Sequence, residues 1–394
     1  MKKSQLLEII GILSLSLMLL SVFAISSVLP DLMNAFPDYD RASVELLISC
    51  PTIAMVIMIT LTPVFSKFLN ERFMVVGGLL ICGGCGITPF FTTSYDVILI
   101  SRFLMGIGIG LLNAKAVSLI GERFTGDLRL QLMGIRCSME TIGQSVMIFA
   151  VGQLLRFGWN YAFLIHGVCF VILIMFVAFV PSRKKLDANE SLKQETPSEP
   201  EKVKLRPQDK KVVFGNFALG IIIVSSAVII SLRLTSYIVE QGIGTSVDGA
   251  NILSISVFAG FLGGMLFGKL MQKIGNLVLP LSLFTMGVGM AAISTGLNLP
   301  LVAFGACAAN CFITVGTSYM FNSLSEHLPV ETLNTANSMV LIGCNLGSCT
   351  ISFILSMIAL INPELSFAYL CYAVVLFVLA IVFFVKNIKR RKCC

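Results

Sequence analysis

Apolar residues in this chain neither alternate nor keep to a narrow helical stripe; they run on for twenty or more positions at a time. A helix needs about 20 such residues to cross a hydrocarbon core. The runs predict twelve spanning helices, at 7–29, 43–65, 73–94, 97–119, 131–154, 159–181, 213–235, 249–270, 276–296, 299–322, 333–361 and 365–386. The 333–361 run is long enough to tilt. One stretch, Ser182 to Lys211, is rich in Lys, Glu, Pro and Ser and cannot bury a core. It divides the spans six and six. The expected organisation is an N-terminal six-helix bundle over 1–181, a linker over 182–212, a C-terminal six-helix bundle over 213–388 and a basic tail over 389–394. The first run, behind Lys2 and Lys3, is too long for a signal h-region of about 7–15 residues, so it reads as a retained first span.

Composition agrees with lipid as the solvent. The 394 residues are 56% hydrophobic and 12% charged, whereas soluble domains carry about 25% charged residues. Charge placement sets the orientation. With the N-terminus inside, the inner loops hold 22 Lys and Arg residues and the outer loops hold Arg41 and Arg156 only. One missed helix would invert everything downstream, so this split also supports the number twelve. The net charge of +7 belongs to the inner loops and calls for no nucleic acid. Ten of the twelve cysteines lie in apolar runs. Cys82 and Cys85 form a CxxC without a nearby His, which reads as small packing residues and neither a redox nor a metal site. Cys393 and Cys394 follow the basic tail without forming a C-a-a-X box.

The halves repeat. Lys67, in the loop after span two, aligns with Lys273 after span eight at an offset of 206. Glu122 to Asp127 sits beside Glu326 to Glu331 at an offset of 204, and Gly143 meets Gly347 at the same offset. Parallel six-helix repeats around a linker are one known transporter plan, with the substrate site between the halves.

On these motifs the chain resembles the major facilitator superfamily over nearly its whole length. That family's loop after span two reads Gly-x-Leu-x-Asp-Arg-x-Gly-Arg-Arg. Gly268, Leu270, Lys273 and Gly275 match it, with Gln272 in the acidic place. In the first half Thr62, Ser66, Lys67 and Leu69 stand where Gly, Asp, Arg and Gly are expected. With Ser66 there, the charge pair that steadies one conformation in the family cannot form in its usual way. Arg102, Gly106 and Gly108 are similar to an Arg-x-x-x-Gly-x-Gly signature linked to proton coupling in drug exporters. Arg129, Gly134 and the Trp159 to Phe163 segment are also in familiar places. The antiporter signature of span five is kept at Gly143 and Gly152 but not at Met147, Ile148 or Val151. The resemblance implies an all-α membrane fold of two pseudo-symmetric six-helix bundles, closest in pattern to the twelve-helix drug:proton antiporter-like group. It also implies a monomer and, with the compact loops, a bacterial cytoplasmic membrane with both termini inside.

Charges within spans are costly, so each is a functional candidate. Arg102 on span four shares a face with Gly106, Ile109 and Asn113. Arg233 lies near the outer end of span seven beside Tyr237. In the resembling family spans one, four, seven and ten line the cavity, where both arginines could meet. Arg233 could instead snorkel to the interface, and Arg102 could be a packing residue satisfied by carbonyls. On span ten, Asn310, Thr314, Thr317, Ser318 and Tyr319 mostly share a broad polar face. Arg136 and Glu140 are four apart on span five and can pair. With Lys115 they suggest either a proton or gating site or a structural ion network. Glycine stripes at Gly260, Gly264, Gly268 and at Gly343, Gly347 suggest close helix approach.

The leading expectation is a proton-coupled secondary transporter exporting drug-like or metabolite compounds. The runner-up is uptake or exchange of a small organic anion, since four cations stand deep in the spans against one carboxylate. No cofactor is implied; the partners are a small solute, protons and the bilayer. An enzyme or receptor is disfavoured. There is no HExxH or GxSxG, His166 and His327 are isolated, and the outer loops are short.

Overall fold

The computed structural model describes residues 3–124, 126–181 and 207–392. The linker expected at 182–212 lies mostly outside them, as do Cys393 and Cys394. The described residues form helices and short connections. Lys3–Ser14 (α1) runs through 3-10 turns at Leu15–Met18 and Ser21–Val28 into Leu29–Ala35 (α2), making the first span. Then come Arg41–Phe68 (α3), Glu71–Phe91 (α4), Tyr95–Arg123 (α5), Gly126–Leu154 (α6) and, after a 3-10 turn at Tyr161–Gly167, Val168–Phe179 (α7). The later helices are Pro207–Glu240 (α8), Ser246–Ile274 (α9), Val278–Thr295 (α10), Leu299–His327 (α11), Val330–Ile361 (α12) and Leu365–Lys392 (α13).

Ten helical stretches among the described residues are long and apolar enough to cross a membrane. One of them, Ser246–Thr295, is broken at Gly275 into α9 and α10. The span expected at 131–154 falls outside the ten, because α6 carries Arg136 and Glu140 and is less apolar; it is nonetheless a 29-residue helix. Every predicted span is thus occupied by helix. Large apolar side chains face outward, as at Ile174, 69% exposed, and Leu360, 87% exposed. Water would not tolerate so many; lipid does. Helix ends follow ordinary capping. The Asp40 carboxylate accepts the Ser43 N–H at the start of α3, 3.3 Å away, and its bonds to Ser43 hold it below its ordinary pKa.

The chain divides into two compact units, Met1–Gln194 with Ser246–Ser254, and Glu195–Thr245 with Ile255–Cys394. The opening residues of α9 therefore belong to the first unit. There Ser145 Oγ donates to the Ser254 carbonyl at 2.9 Å and Ser254 Oγ to the Ser145 carbonyl at 2.8 Å.

Glycines set the helix spacing inside each unit. Residues two apart on a helix point to nearly opposite sides, so the Gly106, Gly108, Gly110 run serves two neighbours. A methyl at Gly106 would strike the Pro51 carbonyl and lie 2.8 Å from Ala54 Cβ, and one at Gly110 would lie 2.6 Å from Met58 Cβ, all on α3. A methyl at Gly108 would lie 2.7 Å from the Gly78 carbonyl on α4. Gly106→Leu is expected to cost about 1–3 kcal/mol through overpacking. Gly77→Leu, where an added Cβ meets nothing within 4 Å, should cost little. Melting temperatures of the two purified variants check the contrast; equal losses would contradict it.

The internal repeat reappears as a contact. A methyl at Gly143 would sit 2.6 Å from the Leu17 carbonyl, and one at Gly347 would sit 2.5 Å from the Ile221 carbonyl. Leu17 and Ile221 are separated by 204 positions, as are Gly143 and Gly347. Each half therefore packs its fifth span onto its first through the same glycine.

The two copies of the loop after the second span of each half differ for a visible reason. Gly275 has φ +55°, a left-handed conformation that favours glycine. Its first-half counterpart Leu69 has φ −112° and ψ 134°, extended backbone open to any residue. At Leu69 the backbone does not call for a glycine. Gly268, Gln272 and Lys273 are exposed on this segment of α9. The side chains of Ser66 and Lys67 lie outside those described.

Candidate functional site

In the first unit, α5 directs Arg102 inward, where it is 2% exposed. Its guanidinium donates to the Gly86 carbonyl at 2.7 Å and stands 4.9 Å from the centre of the Phe163 ring. Both partners belong to the same unit. A cation over a ring face and against a carbonyl is attracted without a carboxylate. His166, isolated in the sequence, lies against this group. A methyl at Gly86 would be 2.5 Å from His166 Cβ. The imidazole Nδ1–H donates to the Phe163 carbonyl at 3.1 Å, while Nε2 has no partner among the described residues. Asn113, on the next turns of α5, is half-buried.

On α6, Arg136 and Glu140 form the expected ion pair one helical turn apart, both largely shielded. Lys115 does not join them. It lines a cavity of about 920 Å³ elsewhere in the unit, together with Arg72, Ser118 and Arg123. The expected three-residue cluster is therefore a pair, because Lys115 lines a cavity it shares with residues of α3 and α4.

A stronger ion network escaped the sequence reading. Arg123, at the end of α5, donates to Glu8 at 2.6 Å and to Glu71 at 2.7 Å. Both of its terminal nitrogens also reach the Pro181 carbonyl, at 3.3 and 3.2 Å. One guanidinium thus joins the first, third, fourth and sixth spans. The signal was present: Glu8, Glu71 and Arg123 all fall at helix ends on the Lys-rich side. Counting Arg123 as a loop charge hid its partners.

In the second unit, Arg233 on α8 is 5% exposed. Tyr237, one turn on, donates to the Ser294 carbonyl at 3.1 Å and meets the Tyr369 ring edge-on at 5.6 Å. Asn310 on α11 donates to Ser256 Oγ at 3.0 Å, and Thr314 to the Asn310 carbonyl at 3.3 Å. The α9 glycines let α11 close in here. A methyl at Gly260 would lie 3.1 Å from Thr314 Oγ1, and one at Gly263 would strike the Cys311 carbonyl. Gly268, the last of the expected stripe, meets nothing within 4 Å. Among the described residues no three His, Cys, Asp or Glu side chains gather to hold a metal.

Lipid-facing helices, a repeated bundle and buried charge define an α-helical membrane transporter. The family model for the Major Facilitator Superfamily matches residues 11–322. The chain belongs to that superfamily. It is 22% identical over 310 residues to an MFS-type transporter of Methanocaldococcus jannaschii described as uncharacterized, covering 76% of this chain and 78% of that one. It is 28% identical over 118 residues to the 4-hydroxybenzoate transporter PcaK of Acinetobacter baylyi, covering 30% of this chain and 26% of that one. A solved structure of a bacterial homolog to the human lysosomal transporter Spinster, inward-facing and unoccupied, superposes with a TM-score of 0.70 at 15% identity, covering 97% and 96% of the two chains. That likeness speaks for the fold alone.

Proposed function

We propose that this chain is a proton-coupled secondary transporter of small organic anions. It works by alternating access as a monomer, with both termini on the cytoplasmic face of a bacterial cell membrane. The inventory of deep charge carries this reading. Arg102, Arg136 and Arg233 stand in the spans against Glu140, and Glu140 is already engaged by Arg136. Arg102 meets a carbonyl and a ring in place of a carboxylate. Such an excess favours anions inside a low-dielectric bundle. The partial likeness to a 4-hydroxybenzoate transporter supports the same class. The Arg136–Glu140 pair is the coupling element: protonating the carboxylate releases the guanidinium, and losing the proton recaptures it. Asn113, Tyr237, Asn310 and Thr314 supply hydroxyl and amide contacts along the pathway. The loops at Ser66, Lys67 and at Gly268 to Gly275 bias the conformational exchange.

A second reading is export of drug-like or metabolite compounds by proton antiport. It rests on the resemblance of Arg102, Gly106 and Gly108 to the exporters' signature. The two glycines of that signature already have a packing role against Pro51 and Gly78, which weakens the export argument.

Proteoliposomes loaded with a pH dye discriminate the two. Aromatic and aliphatic carboxylates are expected to move protons in the same direction as themselves. A response to organic cations alone, with protons moving the opposite way, would replace this reading with export.

A further inference from the structure

The cavity beside Lys115 lies wholly within the first unit and is not needed by the coupling pair. Lys115, Ser118 and Glu122 recur on one face of α5 at helical spacing and form one wall. Lys115 is 8% exposed, and its ammonium has no hydrogen-bond or ion-pair partner among the described residues. A cation shielded from bulk water beside an open cavity attracts an anion. A second feature points the same way. The N-terminus of α4, a 21-residue helix, opens on this cavity through Asn70, Glu71 and Arg72, and Asn70 makes no side-chain cap bond there. First-turn N–H groups and the helix dipole favour an anion. Arg72, Lys115 and Arg123 give the lining three cations, against the carboxylates of Glu71 and Glu122. Glu71 is neutralised by Arg123.

The remaining walls are apolar. Phe73, Val76, Phe176 and Val180 line the same space. Phe73 is 64% exposed and Phe68, just before the loop, is 81% exposed. Phe73, part of the lining, is therefore reachable from outside the bundle. An oxyanion head on Lys115 with an apolar tail along Phe73 matches both halves of the lining. We propose that this cavity is a binding site for the phosphate head of an anionic phospholipid. The head sits at the Lys/Arg-rich end of the bundle, where basic pockets between helices bind lipid head groups. The site supports the first unit structurally.

The test uses the purified full chain and reads its melting temperature, so it needs no transport substrate. A failure here leaves the transport reading standing. Phosphatidylglycerol should raise the melting temperature of the wild type well above the value in phosphatidylcholine. Lys115→Gln should lose that difference, Lys115→Arg should keep it, and Lys269→Gln, at an exposed cation of α9, should keep it in full. If Lys115→Gln does not purify, Ala114→Phe, which fills the cavity from α5, must abolish the same difference. Equal stabilisation by both lipids, or a full shift retained by Lys115→Gln or Ala114→Phe, would overturn the proposal. So would inorganic phosphate alone reproducing the shift, since the ligand would then be a soluble anion.

Discussion

Replacing Arg123 by methionine will destabilise the first bundle by about 3–5 kcal/mol, the usual cost of removing one partner from a buried charge network. Arg123 is 10% exposed at its side chain, Glu8 17% and Glu71 14%, so water screens the network only weakly. The substitution leaves two shielded carboxylates facing each other and strands the Pro181 carbonyl. Thermal unfolding in detergent reads the loss. The triple variant Glu8→Gln, Glu71→Gln, Arg123→Met carries no unpaired charge and should regain much of it. That recovery separates an electrostatic cause from lost packing, as a mutant cycle requires. A melting temperature of Arg123→Met equal to the wild type would show that the network contributes nothing.

The second large effect is expected at Glu140. Glu140→Gln preserves the size of the side chain and a hydrogen bond to Arg136 but cannot take up or release a proton. Proton-driven accumulation should fall by about 5–150-fold, the range a coupling free energy of ~1–3 kcal/mol spans. Counterflow of substrate without a pH gradient should persist, because alternating access itself is untouched. The pH profile of the residual transport should flatten, and Glu140→Asp should restore part of the slope. A structural pair would behave differently: the melting temperature would drop while the pH profile kept its shape. That outcome would remove Glu140 from the coupling role.

The spans were legible because their cause is local. A helix is the only single-segment answer to twenty apolar residues in lipid, since every backbone group must be satisfied within it. The predicted 43–65 became Arg41–Phe68, and the predicted 299–322 became Leu299–His327. Ends moved by a few residues, as solvated helix termini extend past the hydrocarbon. The run 131–154 is instructive. Its two charges take α6 below the apolarity of a lone spanning helix, yet the Lys and Arg tally already required a crossing there. The pair Arg136 and Glu140 was legible for the same local reason, being one turn apart on one helix.

Partners on different helices were another matter. Lys115 and Glu140 sit at similar depths on consecutive spans, but depth does not say which way a helix is turned about its axis. Arg123 looked like one more loop cation and proved to hold four spans together. The glycines of the Arg102 to Gly110 segment resembled a functional signature, and only their neighbours revealed two packing faces.

By itself the sequence determined where the apolar helices run and how the two halves repeat, because hydrophobic length and offset are properties of position along the chain. Tertiary structure alone decided which charges are paired, which cavity Lys115 lines and where backbones touch. Those depend on helix rotation and on approach between segments distant in sequence, which only the packing of whole helices sets.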